Sequence, residues 1–317
     1  MTQAISDTHL AEYHKHGYTV VERFFSGDQL TRCRDEIEQL LAVSEPDERS
    51  HVEHTFPLGV ASVMSRSFKG ISAVDKDIHT DALNATFVDE HLLDFARQVI
   101  GVEHPLMVFG YLRAKYPGGA FDQPLHRDID NTYVVPREDP RHHHLQAFVY
   151  WDDVTEELGP TTVVSEAAGK GAPPVLGRDR DHLSRFFGAR PFDDNALRPD
   201  LYDAEHKVLV PAGSVLLYSM NTLHRGTHFA APHGRRAVTH MAFRNPANNW
   251  QGIDGYGRRT FDPLMVRFLT GATPQQRTAI GFPSVDSDYW TAETLLGVAE
   301  RYPEMDMSPY RTAPSPA

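Results

Sequence analysis

His126 and Asp128, in Leu125-His126-Arg127-Asp128-Ile129, stand two positions apart. Two residues is the repeat of an extended strand, so both side chains leave the backbone on one face. An imidazole and a carboxylate aimed into one cavity can grip one cation, but a metal centre needs a further donor. His224 supplies the candidate: it lies in Asn221-Thr222-Leu223-His224-Arg225-Gly226, just past the apolar run Ser214-Val215-Leu216-Leu217-Tyr218. Two imidazoles and one carboxylate on one side of a metal, with the other positions open, form the donor set of non-haem iron(II) oxygenases. His228 and His233 compete with His224, yet both sit further into a Pro- and Gly-containing loop, where a solvated histidine is the default. Arg235-Arg236-Ala237-Val238 opens another strand eleven residues after His224. An arginine there can hold the far carboxylate of a chelating dicarboxylate through a bidentate, charge-assisted pair. Neighbouring strand residues face opposite sides, and apolar alternation leaves open which of Arg235 and Arg236 points inward.

The elements that must position these groups follow from hydrophobic periodicity. A short helix is expected up to about Gly17, a strand over Tyr18-Thr19-Val20-Val21, and an amphipathic helix beginning at Ser26 or Asp28 with Leu30, Cys33, Ile37, Leu40 and Leu41 on one face. A second such helix is expected over 89–100, stopped by Gly101. From Pro105 short strands take over: 106–112, 146–151, 161–164, 207–210, 214–218 and 235–243, separated by Pro- and Gly-rich turns. Helical patterns return near 262–270, 274–280 and 291–301, and the tail after Pro309 is expected to lack order. Strands without βαβ alternation or a fixed repeat argue for an antiparallel sandwich or jelly roll.

The whole chain sets bounds on function. Its 317 residues can bury a sizeable core. The net charge of −12 excludes wholesale attraction to nucleic acid or an anionic membrane. Cys33 is the sole cysteine, so intrachain disulfides and thiolate zinc clusters are out, and its place on a helix stripe reads as a buried thiol. The N-terminus has no basic region followed by an apolar run, and no stretch is long and apolar enough to span a bilayer. A cytoplasmic protein acting on a small molecule is expected; neither the substrate nor the oligomeric state can be read from the residues.

Among the other polar clusters, Arg141-His142-His143-His144 reads as solvated loop before a strand rather than a second metal patch. Arg113 and Lys115 share a strand face and read as rim charges; with Arg127 they argue mildly for an anionic group near the mouth. Arg258-Arg259 reads as a surface turn. The polar segment 166–206, with Phe186, Phe187 and Phe192, has the composition of an insertion able to fold over a cavity. Two rival readings use the same residues. One is a cupin-like zinc or manganese hydrolase or isomerase that keeps His126, Asp128 and His224 and has no need of Arg235. The other is a β-sandwich binding protein whose histidines are incidental.

Over most of its length the sequence resembles the phytanoyl-CoA dioxygenase-like Fe(II)/2-oxoglutarate-dependent oxygenases. The resemblance rests on Gly17-Tyr18-Thr19-Val20-Val21 followed by the 26–42 helix, on Pro117-Gly118 ahead of His126-Arg127-Asp128, and on Trp151-Asp152-Asp153-Val154-Thr155 with Gly159-Pro160-Thr161. It continues through Pro211-Ala212-Gly213-Ser214-Val215 leading into His224, and closes at Arg235. It implies a mainly β double-stranded β-helix (jelly roll, cupin-like) with flanking helices, with iron held by His126, Asp128 and His224. It also implies 2-oxoglutarate chelating that iron, with its distal carboxylate on Arg235, the family's spacing making Arg236 an outer-face residue. Dioxygen would then convert the cosubstrate to succinate and carbon dioxide while the substrate is oxidised. Where the family often reads Pro-Gly-Ser-His, this chain has Val164-Ser165-Glu166-Ala167-Ala168-Gly169. Halogenating relatives replace the carboxylate ligand with a small residue; Asp128 is present, so hydroxylation is the expectation. One oxygenase domain spans 1–317, divided into helical support over 1–104, a jelly-roll core over 105–245 carrying the 166–206 insertion, and a helical extension over 246–317.

Overall fold

The structure, a computed structural model, describes residues 4–42, 51–52, 80–117, 123, 125–127, 144–169, 199–247 and 263–311. The first helix, α1 (Asp7–His16), starts at a capping box formed by Ser6 and His9 and stops at Gly17, whose φ of 80° is left-handed. A side chain at Gly17 would also run into Glu166, so no other residue turns the chain here as readily into β1 (Tyr18–Val21). The amphipathic α2 (Gly27–Ala42) buries Cys33, Ile37, Leu40 and Leu41, as its spacing predicts. α3 (Asp81–Phe87) follows, then α4 (Glu90–Ile100), capped by Asp89 and ended by a left-handed Gly101.

Nine strands form two antiparallel sheets among the described residues. Besides β1 they are β2 (His51–Val52), β3 (Leu106–Lys115), β4 (His144–Tyr150), β5 (Thr161–Val164), β6 (His206–Lys207), β7 (Val215–Ser219), β8 (Leu223–Gly226) and β9 (Arg236–Arg244). The larger sheet runs β1-β7-β4-β9-β3-β2 and the smaller β6-β5-β8. This is the expected jelly roll. A short helix, α5 (Pro199–Asp203), leads into β6, and the chain closes with α6 (Pro263–Gly271), α7 (Pro274–Ala279), α8 (Ala292–Arg301) and a 3-10 turn, Ser308–Tyr310.

Two apolar layers explain the order of these elements. On the outer face of the large sheet, Ala147, Val149, Leu217, Ala237, Met241 and Phe243 pack against Ile37, Leu40, Leu92 and Phe95 from α2 and α4. Between the sheets, Phe148, Tyr150, Val163, Leu216, Tyr218 and Val238 form a second, smaller cluster. The central strands β4, β7 and β9 are therefore buried on both faces.

Three expectations are corrected. The apolar stretch 207–210 pairs as a strand only at His206–Lys207, although Val208 and Val210 are buried. His144, expected in solvated loop, lies buried in β4. Tyr310, expected in a tail without order, is fully buried against Phe282 and Trp290, and its hydroxyl accepts from Arg277 Nη1 at 3.2 Å. The residues 47–50, 53–79 and 141–143 and most of the 166–206 segment lie outside the described residues.

Burial, with the carboxylate of Glu36 adding to it, pushes the Cys33 thiol up to about 12. The folded state thus favours the neutral thiol; that stability is complete below the unfolded thiol's ordinary range and is lost as pH rises toward the folded value. Ellman's reagent at pH 8 is expected to leave the native protein unmodified and to titrate one thiol after denaturation. Rapid modification of the native protein would contradict this burial.

Candidate active site

His126 and His224 face each other across an isolated antiparallel bridge. Each backbone N–H donates to the other's carbonyl, at 3.0 Å from His126 and 2.9 Å from His224. Directly opposed residues in such a pair send their side chains to the same face. The two rings lie 4.4 Å apart, centroid to centroid, and both are buried. His224 Nδ1 stands 3.1 Å from the Thr222 carbonyl, which can only accept, so the proton of this contact sits on Nδ1. Fixing a ligating histidine through its second nitrogen is how proteins set tautomer and ring direction at a metal. Asp128 lies outside the described residues, so the structure brings together two of the three expected donors. The competing histidines fall elsewhere on the surface scale: His228 is half-buried and His233 exposed, both in the loop after β8.

One short segment holds the chain beside both histidines. Leu201 of α5 packs with Leu125, Val164 and Leu223. Tyr202 Oη accepts from the backbone N–H of Leu125, immediately before His126, at 3.3 Å. Arg225, immediately after His224, grips Glu205 with both its Nε and its Nη2, the latter at 2.9 Å, and its guanidinium lies 5.3 Å over the Tyr202 ring. Residues 199–205 thus clasp the neighbours of both candidate ligands.

The large sheet supplies the floor. Tyr218 packs 4.8 Å from the His224 ring, and its hydroxyl lies 3.3 Å from His240 Nε2, which also meets Gln146 Oε1 at 3.0 Å. His240 stacks on Phe148 at 4.2 Å and meets Phe109 edge-on at 4.9 Å. Sequence reasoning missed this polar floor. Gln146 and His240 lie in strands buried on both faces, so no regular polar alternation marks them in the sequence.

Arg235, just before β9, and Arg236, its first residue, fall opposite to expectation. Arg235, expected to face the cavity, lies on the helix side, where Nη1 donates to Glu38 Oε2 of α2 at 2.9 Å and Nε approaches Asp152 at 3.7 Å. Arg235 in turn holds the Glu38 carboxyl below its usual value. Arg236, expected outside, is buried on the inner face, in phase with Val238 and His240. Its Nη1 donates to the Gly159 carbonyl, while its Nε is buried with no hydrogen-bond partner among the described residues. Burial pushes its guanidinium below the usual arginine value, and Arg113 acts in the same direction. Lys115, read as a rim charge, is also buried: it is Arg236's register partner on β3 and donates to the Thr227 carbonyl. Arg113 is half-buried, and Arg258 lies outside the described residues.

The two buried, opposed imidazoles and the inward guanidinium lie within a jelly roll, and comparison with known proteins gives its family. The profile of the phytanoyl-CoA dioxygenase family matches residues 13–237, and the chain belongs to that family of Fe(II)/2-oxoglutarate-dependent oxygenases. Iron(II), 2-oxoglutarate and dioxygen are its cofactor set. Curated protein sequences give no match. Among solved structures, HygX from Streptomyces hygroscopicus with nickel and 2-oxoglutarate bound is similar with a TM-score of 0.53 at 18% identity, over 77% of this chain and 88% of that one. The carbocyclase SnoK from nogalamycin biosynthesis gives 0.52 at 17% identity, over 80% and 90%. The epimerase SnoN in complex with Fe3+, α-ketoglutarate and nogalamycin RO gives 0.51 at 17%, over 84% and 92%. These likenesses establish the fold.

The clasp predicts a positioning effect. Arg225→Met is expected to lower Fe(II) affinity about 10- to 100-fold in anaerobic titration, as loss of groups behind metal ligands commonly does. Unchanged iron affinity in a folded variant would show that residues 199–205 do not position the histidines.

Proposed function

We propose that this chain hydroxylates a small molecule, with His126, Asp128 and His224 holding the iron and Arg236, rather than Arg235, receiving the distal carboxylate of 2-oxoglutarate. The carrying observation is Arg236: a buried inner-face guanidinium whose Nε has no hydrogen-bond partner and whose charge meets no carboxylate among the described residues. A buried cation without a counter-ion is costly, and a dicarboxylate cosubstrate would complete it. Lys115 beside it adds positive field at the same end. Iron with 2-oxoglutarate and dioxygen supplies the oxidising chemistry, with decarboxylation of the cosubstrate to succinate. The chain's own contribution is placement. Thr222 holds the His224 tautomer, Gly159 aligns Arg236, and the Tyr218–His240–Gln146 floor closes the inner face against water.

The cupin-like hydrolase or isomerase reading leaves Arg236 unexplained. Asp128 separates the chain from halogenating relatives, while the epimerase SnoN and the carbocyclase SnoK keep epimerisation and ring closure as the other outcomes of such a centre. SnoN is seen with nogalamycin RO and HygX with hygromycin B, and a small-molecule substrate is proposed here. The 1–317 chain acts as one oxygenase domain in the cytoplasm in this reading; no helix among the described residues is long and apolar enough to cross a membrane.

The test is anaerobic absorbance as Fe(II) and then 2-oxoglutarate are added to the metal-free protein. A weak visible charge-transfer band requiring both is expected. Arg236→Ala should raise the 2-oxoglutarate concentration needed by about 100-fold, the scale of losing a buried charge partner, while Arg235→Ala should shift it by about twofold at most, since exposed pairs contribute little. The reverse ranking would return the role to Arg235. No band in folded, iron-loaded protein would favour the metal hydrolase or isomerase.

A further inference from the structure

The inner face of β9 reads Arg236, Val238, His240, Ala242, Arg244. Arg244 is buried, with 6% of its surface exposed. Its Nη1 donates to the carbonyls of Asn245 at 3.0 Å and Pro246 at 3.1 Å. Its Nε is buried with no hydrogen-bond partner, and no carboxylate pairs with it among the described residues. Two neutral carbonyls on one nitrogen leave the Nε edge of the guanidinium unused, and that edge is the fork that accepts an oxyanion side-on. A buried guanidinium with no carboxylate partner among the described residues is a standing cost unless something anionic completes it. Burial accordingly pushes its pKa down.

Its position relates this cost to the candidate centre. His240 lies midway between the two arginines, four residues from each, or about 13 Å along a strand in either direction. Through Tyr218, His240 reaches the ring of His224. Arg244's register partner on β4 is His144. The His144 carbonyl accepts from Met220 at 3.1 Å, and its N–H donates to Met220 Sδ at 3.2 Å. Met220 begins the turn that delivers Thr222 and His224, so Arg244 stands at the end of the barrel that carries this turn, opposite Arg236. Arg127 lies at the same turn, with Nε donating to the Asn221 carbonyl at 2.8 Å.

We propose that Arg244 anchors the substrate, and that the substrate carries an oxyanion, a carboxylate or a phosphate ester, placed on the side of the metal away from Arg236. This rests on the proposed function above, in which Arg236 is already taken by 2-oxoglutarate. One strand then carries both anion anchors, one for each reactant.

The test uses the full chain loaded anaerobically with Fe(II) and saturating 2-oxoglutarate, which occupies Arg236. Benzoate, phenyl phosphate and neutral benzamide are the probes, read by their perturbation of the charge-transfer band and by thermal shift. Benzoate or phenyl phosphate is expected to bind saturably and at least about 10-fold more tightly than benzamide, and whichever binds better identifies the oxyanion. Arg244→Met should abolish that preference while leaving the 2-oxoglutarate titration within about twofold of wild type, and Arg244→Lys should restore part of it. Equal anion binding in wild type and Arg244→Met, benzamide binding as well as benzoate, or no binding to wild type would overturn the assignment. So would loss of the 2-oxoglutarate band in a folded Arg244→Met protein. If wild type forms no band, the proposed oxygenase fails by itself; thermal shift by the same anions in an Arg236→Ala background still reads Arg244.

Discussion

The large sheet is covered on both faces, and most of the molecule is arranged to satisfy that. Its outer face is apolar and needs α2 and α4; its inner face looks across at the small sheet and carries a mixture of apolar and charged side chains. Because successive strand residues alternate faces, a one-residue change of phase would exchange the two linings completely. The register of β9 against β3 and β4 therefore decides more than strand pairing. It fixes which arginine reaches α2 and which enters the barrel.

The charges on the two faces are handled differently. Outside, Arg235 meets Glu38 and Asp152 at the edge of the helix layer, an ordinary partly exposed pairing that ties α2 to the start of β9. Inside, Arg236 and Arg244 have backbone carbonyls but no carboxylate among the described residues. Burial without compensation is the less stable arrangement for a protein alone. In the proposed function an anionic cosubstrate supplies the missing charge at Arg236.

Much of this was legible from the residues, and the failures share a cause. α1, α2 and α4 announce themselves by 3.6-residue spacing and by Gly17 and Gly101 at their ends, because each has one polar face. α3 was not seen. It is short, Thr80 makes no side-chain cap, and its first N–H groups at Ala82 and Leu83 are met instead by Glu36 from α2, at 2.9 and 2.8 Å. β8 carries His, Arg and Gly in four residues and has no strand signature of its own; it is defined by pairing with β5. The order of Arg235 and Arg236 was illegible for the reason that governs the whole sheet: β9 is buried along its length, so polarity does not alternate and cannot report the phase. The same holds for Lys115, a charged residue whose burial follows from facing Arg236 across β3.

Family membership settles the cofactors more firmly than the reaction. HygX, SnoK and SnoN share the fold with this chain at 17–18% identity, yet two of them are named for ring closure and epimerisation. A common metal-binding face can serve such different outcomes because the oxidising centre is the same and only the substrate atom held against it changes. In this chain the His126–His224 pair sits on the small sheet and the Tyr218–His240–Gln146 floor on the large one. The floor is polar at the height of His224, while the apolar residues Phe148, Leu216 and Val238 fill the space beside it. Beside the two histidines the interior thus presents hydrogen-bonding groups on one side and an apolar wall on the other. Under the proposed anchoring on Arg244, the choice of reacting carbon depends on how far a substrate extends from that side chain, a geometric quantity set by the inner face of one strand.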